Sequence, residues 1–200
     1  MYRKAMHIGL FTVVFSTWVF AEGVLVYKPP KIGAPAQRVG GGTRTIGAAV
    51  QPIQVLAPQH IALTAQAQPV LYWYLNEANT QPVEINLIQQ NSEQTLLRKQ
   101  LPVGLKAGLQ KIRLSDDSVA LQAGENYQWS LALVGANSLS RDASVKATLR
   151  YELSKTDLAS VEQKAEAGYW YDALQVLIEQ NSPLANELLT QIGLSLPNLD

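Results

Sequence analysis

Between residues 69 and 152 the chain changes sides at almost every residue, and no other feature limits its fold so strongly. The stretch "VEINLIQQ" sets Val83, Ile85 and Leu87 on one face, and "YQWSLALVG" does the same with Tyr127, Trp129, Leu131 and Leu133. In "SVKATLRYEL", Val145, Ala147, Leu149 and Tyr151 oppose Lys146, Thr148, Arg150 and Glu152. Period two with one polar face fits strands packed on one side. "VLYWYL", "TLLRKQL" and "LQKIRL" supply further short strands, at the spacing of a β-sandwich.

The stretch "LQAGENYQW" sharpens this expectation, because Leu121, Gly124 and Tyr127 precede an alternating strand. In immunoglobulin-like and fibronectin-type sandwiches a tyrosine at the start of a late strand bonds back to the preceding corner. Gly124 would then form the corner, Tyr127 would tie it down, and Trp129 would share the inward face. The alternative, ordinary core aromatics in another β fold, stays open.

After Leu153 the period lengthens. "SKTDLASVEQKAEAG" and "YWYDALQVLIEQN" carry apolar residues at helical spacing, with Ala173, Leu174, Leu177 and Ile178 in one stripe. "PLANELLTQIGL" opens on Pro183, a common first residue of a helix. Gly168 separates the first two helices. With Trp170, Tyr171 and Asp172 it resembles the inter-helix turn of a tetratricopeptide repeat. Stacked repeats need about three copies, and a single copy has to bury its stripe on the sandwich or on a partner. The expected fold is therefore mainly β: an immunoglobulin-like antiparallel β-sandwich, then a C-terminal α-helical hairpin of tetratricopeptide type and a third short helix.

The N-terminus places Arg3 and Lys4 before an uncharged run from Ile8 to Phe20, followed by Ala21 and Glu22. Charge, a short apolar core and a small residue at the cut form the layout of a secretory signal. The run falls short of the ~20 residues that cross a bilayer. The sequence thus divides into a signal peptide at 1–21, a Gly/Pro-rich segment at 22–58 docked on the sandwich, a β-sandwich at 59–153 and a helical module at 154–200. A periplasmic or secreted location follows, with no stable membrane span once the signal is removed. The alternative is an uncleaved anchor running on through "VLVY". There is no cysteine, so neither a lipidated cysteine nor a disulfide contributes and packing alone has to hold the chain.

"PPKIGAPAQRVGGGTR", "YWYL", "LQAGENYQWSLAL" and "AGYWYDALQVL", in that order, resemble the bacterial family known as domain of unknown function 928. The likeness covers nearly all of the chain beyond the signal. It implies an exported protein of this architecture and supplies no chemistry.

Charge and residue inventory narrow the function classes. Lys and Arg number 16, as do Asp and Glu, and losing Arg3 and Lys4 with the signal leaves a slightly acidic chain. No basic cluster marks a nucleic-acid partner. His60 is the one histidine beyond the signal, so zinc and copper sites lack ligands. "SDDS", at Asp116 and Asp117, reads as a solvated turn rather than a calcium loop. A serine triad could recruit only His60, and no strand-turn-helix serine elbow accompanies it. Glu84, Glu93, Glu125 and Glu152 could converge as a glycosidase pair, although most fall on polar strand faces. No catalytic residue, cofactor site or metal site is assigned.

Two features stay open to binding roles. The loop Gly40, Gly41, Gly42, Thr43 and Arg44 lacks the Gly-Lys pair of a nucleotide loop. It could be an anion nest, a plain linker or, the preferred reading, a docked loop with Arg44 in a structural contact that has Asp172 as a candidate partner. The clusters Tyr72, Trp73, Tyr74 and Tyr169, Trp170, Tyr171 either form an exposed stacking surface or, as preferred, lie under the helical hairpin. The leading function is a non-catalytic protein-interaction module of the bacterial envelope. Its partner would be an unknown envelope protein, met through exposed hairpin residues such as Glu166, Gln175 and Glu179. The alternative is a carbohydrate-binding or carbohydrate-active protein that uses aromatic and acidic residues on the sheet face.

Overall fold

The computed structural model describes residues 25–32, 52–135 and 141–197, with side chains from residue 144 onward in the last stretch. The expected signal peptide at 1–21 and the loop Gly40–Arg44 lie outside the described residues. The chain is mainly β, with two sheets followed by three helices near the C-terminus. The strands are β1 (Ile53–Val55), β2 (Ala62–Thr64), β3 (Val70–Leu75), β4 (Val83–Gln89), β5 (Thr95–Leu101), β6 (Gly108–Arg113), β7 (Asn126–Val134) and β8 (Arg141–Tyr151). One sheet has the order β1-β3-β6 and the other β2-β8-β7-β4-β5.

Each alternating stretch read from the sequence forms a strand, because each offers one row of apolar side chains to a shared interior. Val83, Ile85 and Leu87 pair with Leu133, Leu131 and Trp129, so the apolar rows of β4 and β7 meet in register. Leu131 in turn faces Val145, and Trp129 faces Ala147 on β8. Buried residues of both sheets and of the helices form one hydrophobic cluster.

Two strands depart from the expected pattern. β1 lies before residue 59, inside the stretch assigned to the Gly/Pro-rich segment, and pairs antiparallel with β3. β2 pairs parallel with β8, where an antiparallel arrangement was expected throughout. The turn between them, which includes the buried Leu56 and Ala57, carries the chain from the edge of one sheet to the edge of the other. Both strands have three residues, too few for periodicity to register.

The three helices are α1 (Val161–Glu166), α2 (Trp170–Glu179) and α3 (Leu184–Thr190). The first is shorter than the helical spacing from Ser154 suggested. Its start is fixed by a capping box: Ser160 Oγ accepts from Gln163 N–H and Gln163 Oε1 accepts from Ser160 N–H, both at 3.2 Å. The Lys164 ammonium bonds the Leu158 carbonyl and holds the preceding loop against α1. Gly168, at φ +86°, makes the turn into α2.

Leu25 to Ile32 run as an extended strap across the helices. The strap reaches α1 through Lys28 N–H to Ala165 O (3.1 Å) and the residue after α3 through Tyr27 N–H to Gln191 Oε1 (2.7 Å).

Candidate functional site at the helix and strap junction

The helical turn and the strands meet through the aromatic triplet Tyr169-Trp170-Tyr171, all of it buried. The hydroxyl of Tyr171 accepts from Trp129 Nε1 at 3.1 Å, a bond between β7 and α2 with both rings out of solvent. Burial pushes the pKa of Tyr171 up, which keeps the hydroxyl protonated. Trp170 Nε1 donates to the Leu56 carbonyl at 2.9 Å in the crossover between β1 and β2. The main chain adds a bond from Leu63 N–H to Gly168 O at 3.0 Å.

Asp172, in the first turn of α2, is 4% exposed. Its carboxylate accepts from Ala65 N–H (3.0 Å) and Gln66 Nε2 (3.3 Å), just past β2. Burial raises its pKa, and the bonds from Ala65, Gln66 and Thr64 oppose the rise. The first four N–H groups of a helix lack partners within it, and a carboxylate there is favoured by the helix dipole. The expected partner Arg44 lies outside the described residues, and Asp172 has its acceptor oxygens engaged by the strand end.

Tyr27 completes the junction. Its ring lies edge-on to Trp170, with centroids 4.9 Å apart, and stacks on His60 at 5.7 Å. The Tyr27 hydroxyl bonds His60 Nε2 at 2.9 Å. Desolvation lowers the His60 pKa and raises that of Tyr27. Gln191 Nε2 donates to Leu25 O at 2.9 Å, so Gln191 grips the strap main chain on both sides of Val26. Pro30 sits against Gly168 so closely that a Cβ there would come within 3.0 Å of the ring. At the rim, Lys28 pairs with Glu166 at 3.0 Å. Beside this pair opens a shallow depression of about 390 Å³, lined by Lys28, Thr156, Asp157, Leu158, Gln163 and Glu166.

Residues 39–196 match the family described as Domain of Unknown Function (DUF928). The chain belongs to the DUF928 family. No curated protein matches it. The matched stretch includes every helix and strand described above, and the strap at residues 25–32 precedes it.

Within this DUF928 chain, Trp129 meets Tyr171, and Gly168, Trp170 and Asp172 gather at the same junction. Tyr127 lies apart, where its hydroxyl accepts from Gln122 N–H at 2.7 Å across the turn before β7. The clusters around Trp73 and Trp170 form no exposed surface. Every residue of β3 is buried, and α2 packs on it. The Tyr72 hydroxyl, buried near Glu179 and Arg113, has its pKa pushed up to about 12, mainly by burial. Among the described residues no Trp, Tyr or Phe is fully exposed, Tyr151 being half-buried, while His60 is exposed beside Tyr27.

The carboxylates are dispersed. Glu84 pairs with Arg98 on β5, Glu152 with Arg150 and Glu179 with Arg113, while Glu125 bonds Asn91. Lys99 pairs with Asp117. No group of three or more His, Cys, Asp or Glu side chains among the described residues could hold a metal ion. Of the hairpin residues expected to be exposed, Glu166 and Glu179 are exposed and Gln175 is half-buried; Gln175 accepts from Gln66 and Glu179 pairs with Arg113. Sequence reasoning missed Tyr27 and Gln191, and weighed His60 only as a metal ligand or triad member. The signal for the first was present: Leu25 and Tyr27 alternate immediately before Pro29-Pro30, an extended stretch with two apolar anchors.

Proposed function

We propose that this DUF928 chain is a non-catalytic protein-interaction module exported to the bacterial envelope. Its scaffold would be an immunoglobulin-like sandwich and its contact element a tetratricopeptide-like helical module. The observation that carries the reading is the junction itself. The apolar faces of α2 and α3 are spent internally on Trp170, Leu174, Leu177, Leu188 and Leu189. The polar outer face of α1 and the strap edge, with the depression beside Lys28 and Glu166, are left facing outward.

Several features support the finer fold reading. A first strand split between two sheets, with its second part parallel to the last strand, suits an immunoglobulin-like sandwich. So does a tyrosine hydroxyl closing the corner before the penultimate strand. Gly168 between two packed helices suits the single tetratricopeptide-like hairpin. Dispersed, ion-paired carboxylates favour binding over acid-base chemistry, which needs titratable groups within reach of one reacting atom. No helix among the described residues is long and apolar enough to cross a membrane.

The test is a pull-down from envelope fractions with the full chain and with Asp157→Arg/Ala167→Arg, two exposed changes lining the depression at α1. A partner retained by the first and lost by the second supports the reading. An identical set of partners from both moves the contact away from α1, and retention of the chain on a polysaccharide column without protein partners refutes it.

A further inference from the structure

The strap sits on the helices as a bound peptide would. Its main chain is held from two sides, by Gln191 across Leu25 O and Tyr27 N–H and by Ala165 O on Lys28 N–H. Leu25 and Tyr27 are buried anchors, while Val26 between them is exposed. Pro30 fits the gap left by the missing side chain of Gly168, and Lys28 meets Glu166 at the rim. Extended peptides in grooves are recognised by this combination of main-chain bonds and alternate side-chain anchors.

None of these contacts depends on how the strap is joined to β1. About twenty residues separate Ile32 from Pro52, a reach of up to roughly 65 Å when extended. Ala165, Gly168, Trp170 and Gln191, which form the groove, belong to the stretch that matches DUF928, and the strap precedes it.

We propose that the groove is an interface between two copies of this chain, in which the Leu25–Ile32 strap of each copy seats in the groove of the other in place of its own. The proposal rests on the helical module being the contact element. The occupant is named by the groove's own chemistry: an aliphatic residue, an aromatic two positions on, a lysine for Glu166 and a proline for Gly168. A second copy carries all four. Each copy offers one strap and one groove, so the exchange closes as a two-fold dimer. Contacts are the same in both arrangements, and the balance is set by the tether. A tether of about twenty residues sets an effective concentration on the order of millimolar. The unaltered chain is thus monomeric at micromolar concentration and exchanges as it nears the millimolar range.

Two full-length variants remove the competing internal strap. Tyr27→Ala weakens the strap and keeps the groove; Glu166→Lys/Gln191→Ala weakens the groove and keeps the strap. Circular dichroism first checks that both are folded, and Lys28→Glu replaces Tyr27→Ala if the latter is not. Each alone sediments as a monomer, and a one-to-one mixture forms a heterodimer at a concentration at least about tenfold below that needed by the unaltered chain. A synthetic peptide of residues 24–33 binds the Tyr27→Ala chain about tenfold or more tighter than the unaltered one. Folded variants that remain monomeric when mixed, or a peptide that binds both chains equally, overturn the proposal. Heterodimer formation without any α1-dependent envelope partner would count against the proposed function and leave the exchange standing.

Discussion

The bond from Trp129 Nε1 to the Tyr171 hydroxyl offers the sharpest test of how the helices are held on the sheets. Tyr171→Phe keeps the ring and its packing but removes the acceptor, and Trp129, with no solvent exposure, would be left with a buried N–H lacking a partner. Such a group costs about 1–3 kcal/mol. With an m-value near 3 kcal/mol/M for urea, the midpoint falls by roughly 0.3–1 M. Trp129→Phe removes the donor instead, and in that background Tyr171→Phe costs less than about 0.5 kcal/mol because no N–H remains to be orphaned. The resulting coupling of about 1–2 kcal/mol identifies the bond itself, free of cavity effects common to both backgrounds. Far-ultraviolet dichroism and tryptophan fluorescence are expected to lose signal together, since one bond network joins β7 and α2. An equal cost of Tyr171→Phe in both backgrounds, or separate transitions by the two probes, refutes the argument.

Gly168→Ala places a left-handed backbone on alanine, at about 1–2 kcal/mol, and drives a Cβ to 3.0 Å from Pro30; trypsin should then cut after Lys31 faster than in the unaltered chain, Lys28 being protected by the proline that follows it. Tyr127→Phe orphans the Gln122 N–H and lowers stability by about 1 kcal/mol in urea unfolding, and an unchanged midpoint would remove the tyrosine from the corner. Asp172 has a folded pKa above its unfolded value of about 3.9. Its contribution is therefore fully present below that unfolded value and is lost as pH rises through the folded pKa. The stability of the unaltered chain relative to Asp172→Asn should fall as pH is raised from about 3 to 7, and a flat difference would contradict the burial argument.

The long strands were legible because their side chains record the environment residue by residue. In β4 the exposure alternates just as Val83, Ile85 and Leu87 alternate with Glu84 and Asn86. β3 shows where that logic ends: "VLYWYL" has no polar face, and nothing in the stretch itself says that α2 covers the second side. β1 and β2 were too short to show a period, and whether a pair runs parallel or antiparallel is decided by where the chain crosses between sheets, not by side-chain identity. The turn at Gly168 was visible from glycine followed by aromatic residues, and so was the clustering of Trp170, Tyr171 and Asp172. Their partners were not, because Ala65, Gln66 and Trp129 are remote in sequence, and one of them contributes only its main-chain N–H. Gln191 is the extreme case, a single amide in a polar helix end whose importance comes only from the strap it holds.

The two bonds that Gln191 makes to the strap join residues 164 and 166 positions apart. A chain made from its N-terminus onward produces the strap first and its receptor last. Until α3 and the residue after it have emerged, Leu25 and Tyr27 have nothing to pair with, while the strands between them can already associate. Contacts of such long sequence separation form late and slow the approach to the native state. The final step of folding in this molecule is thus expected to be the capture of the strap by the residue that follows α3, and truncations that remove Gln191 should leave the sheets assembled with Leu25 and Tyr27 still in water.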